Sequence, residues 1–470
     1  MAVYMGDRTH NEVSMMAIGL GAITVLCATA PLKNPELTIA LFGAVVYALM
    51  KLMEPMRRRP TKGVSARDTK QAVKKGEVRK RAEGGTGRTV STPVAAVSFK
   101  SDVWEKEVEE LLEQMMPTAE NCRGLKCLED LVKQHVLPLI PGADVAVVSW
   151  GNPGRRTAFG VAVPEIDVVV TGSQDALLQL AKKSSWAGKD ELDPDPRKVQ
   201  KTVLRACLER LVSMGGFRFR RSAFRNGDPK VTLLVPPLEG LSAEAVPVDF
   251  YVNSTAPLNS AALLSECGLL EPRAKELALL VRKWARDRGI SHAAKGHLPP
   301  YAWSLLALYL LQMGDRDGKS LLPPLKEFVE ASAAAQQSGV RPAPGLLQKS
   351  SPSSTNDQPT AELFKDFISF YAHDFDLCKE RLSVRLGCRA REQLPPGNFG
   401  EAPMGIGPRI EDPFDVTKNL GSEMTASSIA RLREEFGRAD AFCSSRASLA
   451  SLLEPWVPQD HEEAPRRKAA

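Results

Sequence analysis

Hydrophobic positions recur every three to four residues over 105–116 and 125–135, the period of a helix with one buried face. The rhythm then changes. Val145-Ala146-Val147-Val148 and Asp167-Val168-Val169-Val170 are short β-branched runs, and 231–235 and 246–252 are two more, all of strand length. Beyond Asn259 the period is helical again, predicting amphipathic or buried helices over 273–288 and 301–313. Residues 337–360, rich in Pro, Ser and Gln, read as a surface loop. Helical and mixed segments resume from Ala361 to about Phe436, and residues 454–470 form a charged tail. No internal repeat is visible.

The first fifty residues follow neither rhythm. Val13 to Leu32 carries no charge over 20 residues, enough to cross a hydrocarbon core of about 30 Å. A second apolar run covers Leu37 to Met50, reaching Met53 if Lys51 snorkels. A membrane hairpin turning at Asn34-Pro35, a single anchor with an interfacial helix, and a targeting signal are the three readings. Residues 57–88 then hold twelve Lys or Arg against three acids. By the positive-inside rule this keeps the rest of the chain on the cytoplasmic side of any membrane. The same segment is either a solvated linker or a patch for anionic lipid or RNA. Gly84-Gly85-Thr86-Gly87 lacks P-loop spacing and reads as linker.

Composition narrows the chemistry. The chain of 470 residues has room for two or three domains, and a formal net charge of +6 permits a polyanionic partner without showing one. Eight cysteines contain no CxxC pair, and six histidines form no HExxH or cluster. A zinc site is disfavoured, so a catalytic metal must be held by oxygen, which points to Mg²⁺ or Mn²⁺.

The candidate chemistry lies in Trp150-Gly151-Asn152 followed by Phe159 to Val170. In a strand, Glu165 and Asp167 project to one face, and two adjacent carboxylates repel unless a cation lies between them. The strand 246–252 adds Asp249. Three acids on neighbouring strands suit a pair of divalent ions about 3.5–4 Å apart. Such a triplet is also common on exposed strand faces, and the Gly151-Asn152 turn adds backbone N–H groups able to hold phosphate.

Further blocks follow in order. They are Pro257-Leu258-Asn259-Ser260, Val281-Arg282-Lys283-Trp284-Ala285-Arg286, and Leu298-Pro299-Pro300-Tyr301-Ala302-Trp303. Phe364 to Asp376 and Ile410-Glu411-Asp412-Pro413-Phe414-Asp415-Val416-Thr417-Lys418-Asn419 complete the series. Together the blocks resemble the terminal nucleotidyltransferase family, the poly(A) polymerases and terminal uridylyltransferases of the DNA polymerase β superfamily. The resemblance covers roughly residues 105–440. It implies that Glu165, Asp167 and Asp249 bind two Mg²⁺ or Mn²⁺ ions and that Asn259 contacts the ribose. It also implies that Arg282 and Arg286, one turn apart on a helix, grip the triphosphate. Gly151, Asn152, Tyr301, Lys418 and Asn419 belong to the implied nucleotide site, and Trp284 reads as core. Asn152 stands where the family has Ser, Glu165 where Asp is commoner, and Pro300 where the family has Ser. Lys418 replaces a His that uridylyltransferases often carry, which favours ATP over UTP.

The expected molecule is an α/β (α+β), bilobed polymerase-β-like nucleotidyltransferase with a mixed-sheet catalytic lobe and a helical poly(A)-polymerase-associated lobe. Its expected parts are membrane segment(s) 13–53, a basic linker 54–100, a catalytic domain 101–255, a helical domain 256–440 and a tail 441–470. The sheet occupies roughly 140–255, and the helices of 101–135 are expected on the helical lobe. The expected reaction is template-independent addition of AMP, or UMP, to an RNA 3′ end, at a membrane reached through residues 13–53. A catalytically weak or inactive membrane-tethered RNA scaffold is the alternative, and a cyclic-dinucleotide or oligoadenylate synthase is a further rival.

Overall fold

The computed structural model describes residues 97–152, 164–183, 195–224, 228–242, 244–314, 320–338, 340–347, 357–377, 379–389, 407–445 and 447–456. The apolar segment 13–53 and most of the basic linker lie outside these residues. Among the described residues no helix is long and apolar enough to cross a membrane.

Helix α1 (Trp104–Met115) is followed by α2 (Ala119–Val136), which begins in a capping box: Thr118 and Asn121 exchange side-chain and backbone hydrogen bonds. Strands β1 (Asp144–Ser149) and β2 (Ile166–Thr171) lead to α3 (Gln174–Lys183) and α4 (Pro196–Met214), the latter capped by Asp195 with Pro196 in its first turn. β3 (Arg218–Ala223), β4 (Lys230–Val235) and β5 (Val246–Val252) complete a mixed five-stranded sheet in the order β1-β2-β5-β4-β3. β2 runs parallel to β5, and the other neighbours are antiparallel. The central strands are mostly apolar and buried, with helices covering one face of the sheet and the polar residues of the site on the other. Val168, Val170, Val248, Phe250 and Val252 join a core with Leu128 and Val132 of α2 and Val203, Leu204 and Cys207 of α4.

The second lobe is helical. α5 (Ala256–Leu270), α6 (Pro272–Asp287), α7 (Pro300–Met313), α8 (Lys326–Gln337), α9 (Thr360–Ser369), α10 (Ala426–Ser444) and the short α11 (Leu449–Leu452) surround a small sheet of β6 (Arg381–Leu382), β7 (Arg409–Asp412) and β8 (Asp415–Asn419). α7 is apolar all round and is almost entirely buried. Trp284 is fully buried, its ring 5.6 Å from that of Trp303 and 5.2 Å from that of Phe436. Phe364, Phe367, Tyr371 and Phe375 join this aromatic cluster, so the Phe/Tyr-rich block at 364–375 is packing.

Two fully buried carboxylates fasten the lobe. Glu435 of α10 receives Arg288, Arg431 and Arg438, while Glu411 of β7 receives Arg381, Arg385 and the Ser383 hydroxyl. A third, Glu266 of α5, accepts the backbone N–H groups of Gly345, Leu346 and Leu347. A buried charge held by so many donors has its desolvation offset locally.

Two boundaries differ from the sequence reading. α1 packs in the helical lobe, with Val108, Leu111, Leu112 and Met115 in its core, as expected, but α2 lies against the sheet. Both helices are amphipathic, and the pattern does not say which partner each face meets. The chain beyond residue 440 is not all tail: α10 continues to Ser444, and Leu449, Leu452 and Leu453 are buried. The loop expected at 337–360 has the bounds set by the end of α8 and the start of α9, and among its described residues 345–347 are held on Glu266.

Candidate active site

Parallel pairing of β2 and β5 sets Asp167 directly opposite Asp249. The adjoining β4 runs antiparallel to β5 and sets Thr232 opposite Asp249, so Lys230, Thr232, Asp249 and Asp167 share one face of the sheet. The Thr232 hydroxyl donates to Asp249 Oδ1 at 2.5 Å, and the Lys230 ammonium lies 2.6 Å from Asp249 Oδ2 and 3.2 Å from the Tyr251 hydroxyl. Arg221 of β3 donates in turn to Thr232 Oγ1. Burial, and secondarily the charge of Asp249, push the Asp167 carboxyl up to about 7. The turn after β5 is fixed by Asn253, at φ 46°, whose amide exchanges two hydrogen bonds with the backbone of Gly172 at the end of β2. The register of the two acids is therefore fastened at the C-terminal ends of their parallel strands.

Glu165, which immediately precedes β2, does not join them. One of its oxygens accepts from Arg286 and the other from Arg282, at 3.2 Å. The Arg282 guanidinium stacks 4.7 Å from the Trp150 ring, and the Trp150 indole N–H points at Asp167 from 3.5 Å. The expected set of three metal-binding acids is thus divided into a pair, Asp167 and Asp249, and a third acid committed to the arginines. Among the described residues no group of three His, Cys, Asp or Glu side chains is arranged to hold a metal ion. The pair nonetheless fits a divalent cation. Two aligned carboxylates repel, one is held up to about 7, and a lysine ammonium already lies against the other.

A second group of residues lies on the helical lobe. Asn259 of α5 is buried, and its side-chain carbonyl accepts from Gln336 at the end of α8. The Tyr301 hydroxyl, at the start of α7, is shielded from solvent beside Ser260 and Asp412. Asp412 is buried, which raises its carboxyl, while Lys418, 3.4 Å away, opposes that rise. Lys418 is half exposed.

Three residues expected at the nucleotide also serve the fold. The Asn152 backbone N–H donates to Met115 O and its side-chain amide to Gln114 O, which fastens the turn to α1. Gly151 sits so close to Met115 O and Leu279 that a Cβ there would meet them at 3.0 and 3.1 Å, so its role is close packing. The Asn419 side-chain carbonyl accepts from the N–H groups of Ile410 and Gly421, closing the β7–β8 turn. Sequence reasoning missed Lys230, Thr232, Asp412 and Gln336. Lys230 and Thr232 were legible in principle, since they occupy alternate positions of a strand run beside the one carrying Asp249.

No protein-family profile matches the sequence. The chain is 28% identical over 214 residues to the poly(A) RNA polymerase GLD2-A of Xenopus laevis, a match covering 44% of this chain and 39% of that protein. It is 29% identical over 211 residues to a speckle targeted PIP5K1A-regulated poly(A) polymerase of Ailuropoda melanoleuca, covering 42% and 23%. The chain thus spans about two fifths or less of these relatives' own length. A mutant of the Cid1 poly(U) polymerase bound to MgATP superposes with a TM-score of 0.55 at 20% identity, covering 75% of this chain and 99% of that one. A GLD-2/RNP-8 complex superposes with a TM-score of 0.55 at 17% identity, covering 75% and 98%.

Proposed function

We propose that this chain, a homologue of the terminal nucleotidyltransferases of the DNA polymerase β superfamily, adds nucleotides to the 3′ end of RNA without a template. The observation that carries the reading is the register of Asp167 against Asp249 on parallel strands, with the Arg282/Arg286 face of α6 next to them. Asp167 and Asp249 hold Mg²⁺ or Mn²⁺. When bound, such ions neutralise the triphosphate and favour in-line attack of the RNA 3′-hydroxyl on the α-phosphate. The chain's own residues do the positioning. Arg282 and Arg286 take the triphosphate, Asn259 takes the ribose, and Tyr301 forms one wall of the base pocket. No protein nucleophile is required.

ATP is the favoured substrate over UTP. The buried Asp412 carboxylate beside Tyr301 is an acceptor suited to the exocyclic amine of adenine, and uracil offers a carbonyl oxygen at the corresponding edge. The apolar residues 13–53 and the basic run that follows support attachment to a membrane with the catalytic lobe on the cytoplasmic side. Carbonate extraction and protease protection of vesicles test that arrangement.

The enzymatic test incubates the purified chain with labelled single-stranded RNA and each NTP separately, with Mg²⁺ and with Mn²⁺. Metal-dependent 3′ extension that is lost in Asp167→Ala is expected, with ATP used best. A folded protein that extends RNA under none of these conditions refutes the proposal and leaves the scaffold reading.

A further inference from the structure

We propose that residues 447–456 form a strap that holds the last turn of α6, and with it Arg286, in place for the triphosphate, and that Trp456 is the strap's positioning residue. This rests on the functional reading above for what Arg286 binds, and the strap's own contacts carry the rest.

The Ser448 hydroxyl caps α11 by accepting from the Ser451 N–H. Leu449, Leu452 and Leu453 are buried in the core of the helical lobe. Four backbone groups of the strap then find partners outside it. The Leu449 N–H donates to the buried Glu107 carboxylate of α1 at 2.7 Å. Arg438 of α10 donates to the Leu452 carbonyl at 2.6 Å, and Arg288, just past α6, donates to the Glu454 carbonyl. The Trp456 N–H donates to the carbonyl of Asp287, the last residue of α6, at 2.9 Å. The Arg431 guanidinium lies 5.2 Å from the Trp456 ring and donates to the Arg288 carbonyl. The strap therefore converges on residues 287 and 288.

Such pairing matters at a helix end. The last carbonyls of a helix have no partner within it, and its last turn frays. Trp284 packs α6 into the aromatic core, but Arg286 lies beyond it, in the last turn. There the strap occupies the Asp287 carbonyl. Pro455 stands between the two strap residues that reach 287 and 288, and its ring fixes φ near about −65°, so Glu454 and Trp456 meet α6 at a set spacing. The other end of the strap is fastened to α1, whose Met115 carbonyl receives the Asn152 N–H of the catalytic lobe. One short segment thus sets two of the helices that meet that lobe.

The test uses the full chain with Trp456→Ala, the conservative Trp456→Phe, and Val203→Ala, a truncation in the core of the other lobe that controls for lost stability alone. Hydrogen exchange of the backbone amides over 284–290 is measured without ligand, and binding of a fluorescent ATP analogue with Mg²⁺ and without RNA. Trp456→Ala is expected to exchange at least about fivefold faster over 284–290 and to bind the analogue about two- to tenfold more weakly. In RNA extension its KM for ATP rises while kcat stays within about twofold. Trp456→Phe, which keeps a ring facing Arg431, is expected within about twofold of wild type in each measurement. Mn²⁺ binding within about twofold of wild type in all three variants shows that the sheet is folded. Unchanged exchange in Trp456→Ala overturns the strap, and faster exchange with unchanged ATP affinity overturns its positioning role. An equal loss of ATP affinity in Val203→Ala also overturns that role, because stability alone then accounts for it. A wild-type chain that binds Mn²⁺ but no ATP removes the functional reading instead, and the exchange comparison still decides whether the strap holds α6.

Discussion

The Lys230 ammonium lies 2.6 Å from Asp249 Oδ2, reaching it from the neighbouring strand. A positive charge on an acid of the metal pair competes with the metal. Two like-signed cations a few ångströms apart repel by several kcal/mol even at an effective dielectric of about 20. Lys230→Met is therefore expected to tighten Mn²⁺ binding by at least about fivefold in a direct titration. Unchanged or weaker binding would show that the lysine supports the pair instead.

The pH dependence of metal binding follows from Asp167. Its carboxyl is raised from the ordinary range to about 7 in the metal-free protein, so below that pH it carries a proton that the metal must displace. Apparent Mn²⁺ affinity should hold steady above about 7 and fall by up to about tenfold per pH unit below it. The same raised value means that the folded state binds more protons than the unfolded one between the two values. Without metal, stability should rise as pH falls from about 7 toward the usual carboxylate range. Asp167→Asn should abolish both trends.

Gln336 holds the side-chain carbonyl of Asn259, which leaves the Asn259 amide N–H₂ to donate to a ribose oxygen. Gln336→Ala should free that amide to rotate. One hydrogen bond contributes about 0.5–1.5 kcal/mol net, so nucleotide affinity should weaken about two- to tenfold. Discrimination between ATP and dATP should narrow with it, and binding of the two nucleotides to wild type and variant measures both effects.

Glu435 is fully buried and accepts from three arginines, Arg431 and Arg438 of its own helix and Arg288 just after α6, of which Arg288 and Arg438 also reach the final segment. Glu435→Gln removes the charge at constant shape and should cost about 3–5 kcal/mol, because the guanidinium groups stay buried without a counter-ion. Urea denaturation is the measurement. A loss under about 1 kcal/mol would mean that water reaches the arginines.

The sheet was legible because β1, β2, β4 and β5 are short, mostly buried runs rich in Val, with few polar positions. β3 was not, since Arg218-Phe219-Arg220-Arg221-Ser222-Ala223 forms an exposed edge with little apolar content. α4 went unread although Val199, Val203, Leu204, Cys207 and Leu211 have helical spacing, while Ala-rich α8 has few large side chains to mark a face. Asp167 and Asp249 could be nominated from sequence, but their alignment depends on parallel pairing between distant strands. The Glu165 contacts cross from one lobe to the other over more than a hundred residues, and no local spacing encodes such a meeting. Asn152 and Asn419 show local bonds that the motif does not spell out: each meets nearby backbone, Asn152 through its amide N–H and Asn419 through its side-chain carbonyl, as Asn does in many turns.

Glu266 grips the chain at 345–347, and on the far side Arg273 holds the Gln358 carbonyl while Thr360 donates to Glu276. Both ends of the intervening stretch are thereby moored to α5 and α6, independently of what lies between. The described segments 340–347 and 357–360 are thus each anchored by bonds of their own, so that loosening one mooring leaves the other in place beside the helix that carries Asn259.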